Sequence, residues 1–154
     1  MNNVLYYHIA EVNPVEASRT YSSVWNNEAI GTGHAQSMLD SPLGWCALEN
    51  TIGEWMQIDL GTTMCVNGAV TQSRASPGYG QRVTSYKLSY STDGTSFTEL
   101  PEVYAANDVE GDARKTVSFK GVQARYVRFI PQAWADYMSM RAGVIGTTQE
   151  PGIL

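Results

Sequence analysis

Apolar and polar positions alternate along this chain in short runs. The clearest run spans residues 81–94, QRVTSYKLSYSTDG. Within it Tyr86, Leu88 and Tyr90 fall on one side and Lys87 and Ser89 on the other, the period of a half-buried strand. Asp93-Gly94 follows and Phe97 opens another apolar run. The spacing predicts a tight hairpin, because an Asp-Gly pair supplies positive φ angles. Residues 55–60 repeat the pattern with Met56, Ile58 and Leu60 on one face. Gly61-Thr62-Thr63 is then a predicted turn and residues 65–72 the next strand. Residues 115–119 alternate again, 124–130 read as a strand closed by Pro131, and 139–145 as the last strand. A short strand is predicted around residues 4–9, and 147–154 read as a tail or linker.

Between these runs lie irregular polar stretches. Residues 21–36 (YSSVWNNEAIGTGHAQ) have neither a helical nor a strand period and are predicted to be a long loop. Residues 37–48 form another irregular piece, 73–81 a polar Gly-rich loop, and 102–112 an acidic one. Long ordered loops in small domains often carry function, so the strands are the scaffold and residues 73–81 part of the working surface. Many short strands with turn signals between them and no amphipathic helix define an all-β sandwich.

A chain of 154 residues fits one domain, which at this size buries roughly 70% of its unfolded surface and needs no staples. The formal charge of −5 argues against nucleic acid as a partner and weakens the case for an anionic membrane. Cys46 and Cys65 are too few for a disulfide framework and lack metal-site spacing. Buried free thiols are the simpler reading, and a single bridge stays open. No signal peptide is read at the start of this chain, where a basic segment and an apolar core are both missing, and no apolar run reaches membrane-spanning length.

Catalytic signatures are scarce. Gly31-Thr32-Gly33 lacks the third glycine and the βαβ setting of a dinucleotide fingerprint. Glu49, Glu54 and Asp59 flank a strand, where Asp59 is expected to bond backbone or an arginine rather than act as an acid or base. The loops instead carry flat rings (Trp25, Trp45, Tyr79) and planar polar groups (Asn26, Asn27, His34, Asp40, Arg74, Arg82). A ring packs on the apolar face of a pyranose while planar polar groups take paired hydrogen bonds from adjacent hydroxyls. Trp25, between Val24 and Asn26 in a polar loop, is expected to be exposed; Trp45 fits core packing as well as ligand contact. Arg74 and Arg82 bracket one Gly-Pro loop, with loop bracing as the plainer alternative.

Six blocks in order resemble a discoidin domain, the fold shared with the C-type domains of coagulation factors V and VIII. They are GWCA at 44–47, GEWMQIDLG at 53–61, AVTQ at 69–72, QRVTSYKLSYSTDG at 81–94, ARYVRFIPQAW at 124–134 and SMRAGVIG at 139–146. The resemblance implies a single-domain β-sandwich of the jelly-roll kind over residues 17–146, with 1–16 an N-terminal extension or first strand. It also implies ligand-binding spike loops at one end, here residues 24–32, 46–53 and 74–81. The chain is most similar to the discoidin lectins, through Cys46, Cys65 and the run Thr71-Gln72-Ser73-Arg74 ahead of residues 81–87. Those lectins bind galactose and N-acetylgalactosamine, which implies sugar contacts from Arg74 and Asp40. The chain departs from them at Arg82, where they have Trp, and at Ala75-Ser76, where they have Gly-Asp. Many relatives hold a structural calcium through an Asp matched by Asp40 and a Glu whose position is Gly143 here. The terminal cysteine pair of the clotting-factor domains is missing, which favours free thiols.

A lectin-like glycan-binding module, not an enzyme, is therefore the leading expectation, acting in adhesion or recognition outside the cell or at its surface, even if released there from the cytoplasm. A phospholipid-binding module, with Val24-Trp25 as an inserted tip, and a protein-binding adhesion module are the alternatives. Self-association into a homo-oligomer would raise the avidity of weak single sites.

Overall fold

The structure is a computed structural model that describes residues 5–151. Nine strands follow one another: β1 (Leu5–Val12), β2 (Arg19–Tyr21), β3 (Trp45–Cys46), β4 (Met56–Gln72), β5 (Arg82–Ser91), β6 (Thr98–Glu99), β7 (Tyr104–Ala105), β8 (Lys115–Ala135) and β9 (Ser139–Pro151). Every pairing is antiparallel. The sheet runs β1-β9-β4-β8-β5-β6, with β2 beside β4, β3 beside β9 and β7 beside β5. This curled sheet closes on itself as an all-β sandwich.

The long strands β4 and β8 make the closure. Residues 61–63 are not a reversal: β4 continues through them as a bulge, the register jumping from Asp59 opposite Tyr126 to Met64 opposite Ala124. The Asp59 carboxylate accepts the Gly61 N–H at 2.8 Å and holds this corner. It also takes the Arg125 guanidinium at 2.9 Å, the structural role expected of it. Pro131 likewise does not end its strand. It lies in β8 opposite Tyr86, next to a register shift from Ser85, the kind of irregularity at which a strand tolerates Pro.

Two further expectations change. The hairpin after β5 is wider than a two-residue turn. Only Gly94 takes a positive φ, +77°, and Asp93 closes the loop by accepting the N–H groups of Thr95 at 2.8 Å and Ser96 at 2.9 Å. The segment read as a tail is strand: β9 pairs with β1 from Val144 opposite Val12 to Pro151 opposite Leu5. The ends of both expected segments, Val4 and residues 152–154, lie outside the described residues.

The core is one cluster in which Trp45, Met56, Ile58, Tyr86, Leu88, Phe129, Met138 and Met140 are almost wholly buried. Apolar faces of β4, β5, β8 and β9 meet there, as the alternating runs require. The buried Arg19 is fully hydrogen-bonded, as a buried charge must be. Its guanidinium donates to the carbonyls of Pro14 (3.0 Å), Ser37 (2.8 Å) and Ala142 (2.6 Å) and to the Asn13 side chain (2.9 Å). Burial lowers its pKa to about 10. It ties the β1–β2 connection to β9 beneath the long loop.

Candidate functional site

At one end of the sandwich the loops surround an open cavity of about 410 Å³. Trp25 and His34 enter it from the β2–β3 loop, Cys46 from β3, Arg74, Tyr79 and Gln81 from the β4–β5 loop, and Tyr137 from the β8–β9 turn. All three expected spike regions contribute, the second through Cys46 and through backbone that fixes Tyr137. The Tyr137 hydroxyl donates to the carbonyls of Ala47 (2.8 Å) and Leu48 (3.0 Å), and Asn50 Oδ1 accepts the Met138 N–H at 2.8 Å.

Each wall is held by local chemistry. Glu28 Oε2 accepts both the backbone N–H of His34 at 2.5 Å and its ring Nδ1 at 2.9 Å. A carboxylate can only accept, so the proton sits on Nδ1. The His34 backbone bond holds the Glu28 carboxyl below the usual carboxylate range. Trp25 meets the His34 ring edge-on, with centroids 4.7 Å apart, and is 45% exposed. On the opposite wall Arg74 Nη1 donates to Gln81 Oε1 at 2.6 Å, and the guanidinium carbon lies 5.7 Å from the centre of the Tyr79 ring. Arg74 Nε is buried with no hydrogen-bond partner. Cys46 is a buried free thiol, its pKa raised by burial, while Cys65 is free and half-buried at another site.

Of the nine residues singled out from sequence, Trp25, His34, Arg74 and Tyr79 come together around the cavity. The other five do not. Trp45 has no exposed surface: its ring stacks on Tyr21 with centroids 5.7 Å apart and its Nε1–H donates to Ser23 O at 2.9 Å. It belongs to the core and cannot touch a ligand. Asn26 and Asn27 lie in the tight turn after Trp25, at φ +59° and +49°, a conformation Asn tolerates, and do not line the cavity. Arg82 braces its own loop by donating to Gly80 O at 2.7 Å. Gln81, Tyr137, Cys46 and the Glu28 that orients His34 were not singled out.

Asp40 lies away from the cavity, and its carboxylate is taken. Oδ1 receives Gln72 Nε2 at 2.9 Å and Arg114 Nη1 at 3.0 Å; Oδ2 receives Arg114 Nη2 at 2.9 Å. These bonds, Arg114 first, lower its pKa to about 2. The same guanidinium donates to Glu11 at 2.8 Å. A calcium ion does not fit here. A built Cβ at Gly143 would stand 2.7 Å from Leu39 Cδ1 and 2.8 Å from Val12 O, so no acidic side chain fits at that position. Among the described residues no three His, Cys, Asp or Glu converge as ligands. Arg114 supplies the positive charge instead. The melting temperature is therefore expected to be the same in excess calcium and in excess chelator; a chelator-induced drop of several degrees would restore a metal to this region.

A loop-lined cavity at one end of an all-β sandwich is a place where a small molecule can be held. A family model described as the F5/8 type C domain matches residues 14–144, and the chain belongs to that family of binding modules. Rat lactadherin is 34% identical over 140 residues, 86% of this chain and 33% of that protein. The human EGF-like repeat and discoidin I-like domain-containing protein 3 is 32% identical over 113 residues, 69% of this chain and 24% of that protein. The chain thus spans about a third or less of the length of these curated relatives. Among solved structures, recombinant discoidin II of Dictyostelium discoideum superposes with a TM-score of 0.67 at 20% identity, covering 89% of this chain and 59% of that one. A Clostridium perfringens module in complex with GalNAc-β-1,3-galactose superposes with a TM-score of 0.64 at 16% identity, covering 90% of this chain and 99% of that one. At these identities the likeness is one of fold.

Proposed function

We propose that this domain binds glycans of the galactose or N-acetylgalactosamine type in the end cavity, and that it serves recognition or adhesion outside the cell. The observation that carries this is the cavity's combination of an exposed indole and phenol, Trp25 and Tyr79, with Arg74, Gln81, His34 and Tyr137 within one volume of about 410 Å³. That volume lies in the range of small-molecule sites and accepts one or two sugar rings. The saccharide bound by the C. perfringens module supports the sugar class. An extracellular setting accords with a relative named for EGF-like repeats, a disulfide-dense secreted module. The test is a glycan array with the wild-type domain and Arg74→Ala. Galactose-type hits are expected, with loss of about tenfold or more in affinity for the variant and little change in melting temperature. Equal binding by the variant would remove Arg74 from the site.

A second reading has its own support. Trp25 (45% exposed), Ile30 (47%), Leu48 (44%), Ile52 (62%) and Tyr79 (72%) are large apolar side chains standing out from the same loops. Exposed apolar groups on adjacent loops suit insertion into a lipid interface. Sedimentation with phosphatidylserine vesicles beside a blank glycan array would put the lipid reading first.

A further inference from the structure

The polar lining of the cavity carries a positive charge with no negative one to balance it. Its only formal charge among the lining residues is the Arg74 guanidinium; no carboxylate lines it. Arg74 spends Nη1 on Gln81 Oε1, while its buried Nε–H has no partner. That same bond takes an acceptor lone pair of Gln81 and leaves the amide N–H groups to offer. Glu28, the nearest wall carboxylate, is turned to His34 by two bonds at 2.5 and 2.9 Å. The Tyr137 hydroxyl donates to the Ala47 and Leu48 carbonyls, so toward the cavity its oxygen can only accept. Glu110 likewise faces backbone, accepting the Gly80 N–H at 2.7 Å.

A neutral sugar hydroxyl both donates and accepts, and it needs no charged partner. A carboxylate or sulfate only accepts, and it matches a guanidinium edge with a free N–H. The hydrogen bond that Arg74 makes to Gln81 has a neutral acceptor, and a guanidinium gains more from an ionised one. We propose that the cavity selects acidic saccharides: a sugar ring on Trp25 or Tyr79 with its carboxylate or sulfate on the Arg74 guanidinium and the Gln81 amide. This rests on the sugar reading of the cavity. The chain's net charge of −5 does not oppose it, because bonds at contact distance outweigh fields screened over about 8 Å at physiological salt.

The test compares matched ligands by calorimetric titration into the whole domain: galactose, galacturonic acid, which is the same ring with a carboxylate at C6, and galactose 6-sulfate. At least one acidic sugar is expected to bind about tenfold or more tighter than galactose, with an advantage that shrinks in high salt. Arg74→Gln, with an unchanged melting temperature, should bring the acidic and neutral ligands level, and Arg74→Lys should keep part of the preference. Equal or tighter binding of galactose would overturn the acidic preference and leave the sugar reading standing. No binding of any of the three would overturn both, as would capture by phosphatidylserine vesicles alone.

Discussion

Replacing Arg141 with Ala is expected to destabilise the domain by about 3 kcal/mol or more, the usual result of removing one member of a buried, hydrogen-bonded charge cluster. Arg141 lies in β9 and is 1% exposed. Its guanidinium donates to the carbonyls of Ser73 (2.8 Å), Ser41 (3.0 Å) and Gly111 (3.0 Å), and to Asp112 Oδ1 (2.8 Å). Asp112 is 70% exposed, so solvent screens that ion pair and the three carbonyls carry the argument. Three loops lose their common anchor when the side chain is cut. One of them begins at Ser73, directly before Arg74, so ligand affinity should fall as well. Lys should rescue little, because one ammonium on a flexible stem cannot reach three carbonyls held in a planar fork. Thermal unfolding and limited proteolysis at residues 73–81 and 109–113 are the measurements. An unchanged melting temperature with loops still resistant would mean that they hold their shape without the anchor.

The strands were legible wherever burial is one-sided. Residues 85–91 and 55–60 alternate because one face meets the core, and the structure buries Tyr86, Leu88, Met56 and Ile58 as that pattern requires. Where the reading failed, the deciding partner lies far away in sequence. Gly61-Thr62-Thr63 carries turn chemistry, but β8 continues opposite and turns the reversal into a bulge. Pro131 carries a stop signal, yet it sits beside a register shift, where a strand tolerates Pro. In β1, Tyr6, Tyr7 and Ile9 are all more than half exposed, so no one-sided burial marks its pairing with β9.

The site was legible to the extent that rings and planar polar groups stand out in irregular polar loops. That signal found Trp25, His34, Arg74 and Tyr79. It could not find Tyr137, which sits between β8 and β9 with nothing around it to distinguish it from the chain's other tyrosines. Nor could it separate Asp40 from a ligand-binding acid, because Arg114, its partner, is 74 residues away.

The two tryptophans of the β2–β3 region should part company. Trp45→Ala is expected to cost about 3–5 kcal/mol, the usual loss for truncating a buried aromatic, and more if Ser23 O is left without its donor. Trp45→Phe, which keeps most of the volume but loses that bond and the full stack on Tyr21, should fall between that variant and wild type. Once refolded below its transition, it should still bind glycan. Trp25→Ala is expected to reverse the pattern. Its ring is 45% exposed and touches His34 edge-on, so stability should change by less than about 1 kcal/mol. Glycan affinity should drop about tenfold, the worth of roughly one aromatic stacking contact. Denaturant midpoints and binding titrations on the same three variants read both axes. The pairing matters because either variant alone is ambiguous: a lost ligand can mean a lost fold, and a kept fold says nothing of the ligand. A Trp25→Ala domain that stays folded and binds as wild type would move the sugar to the Tyr79 wall. A Trp45→Phe domain that stays folded but cannot bind would show that the cavity depends on the core ring beneath it for its shape.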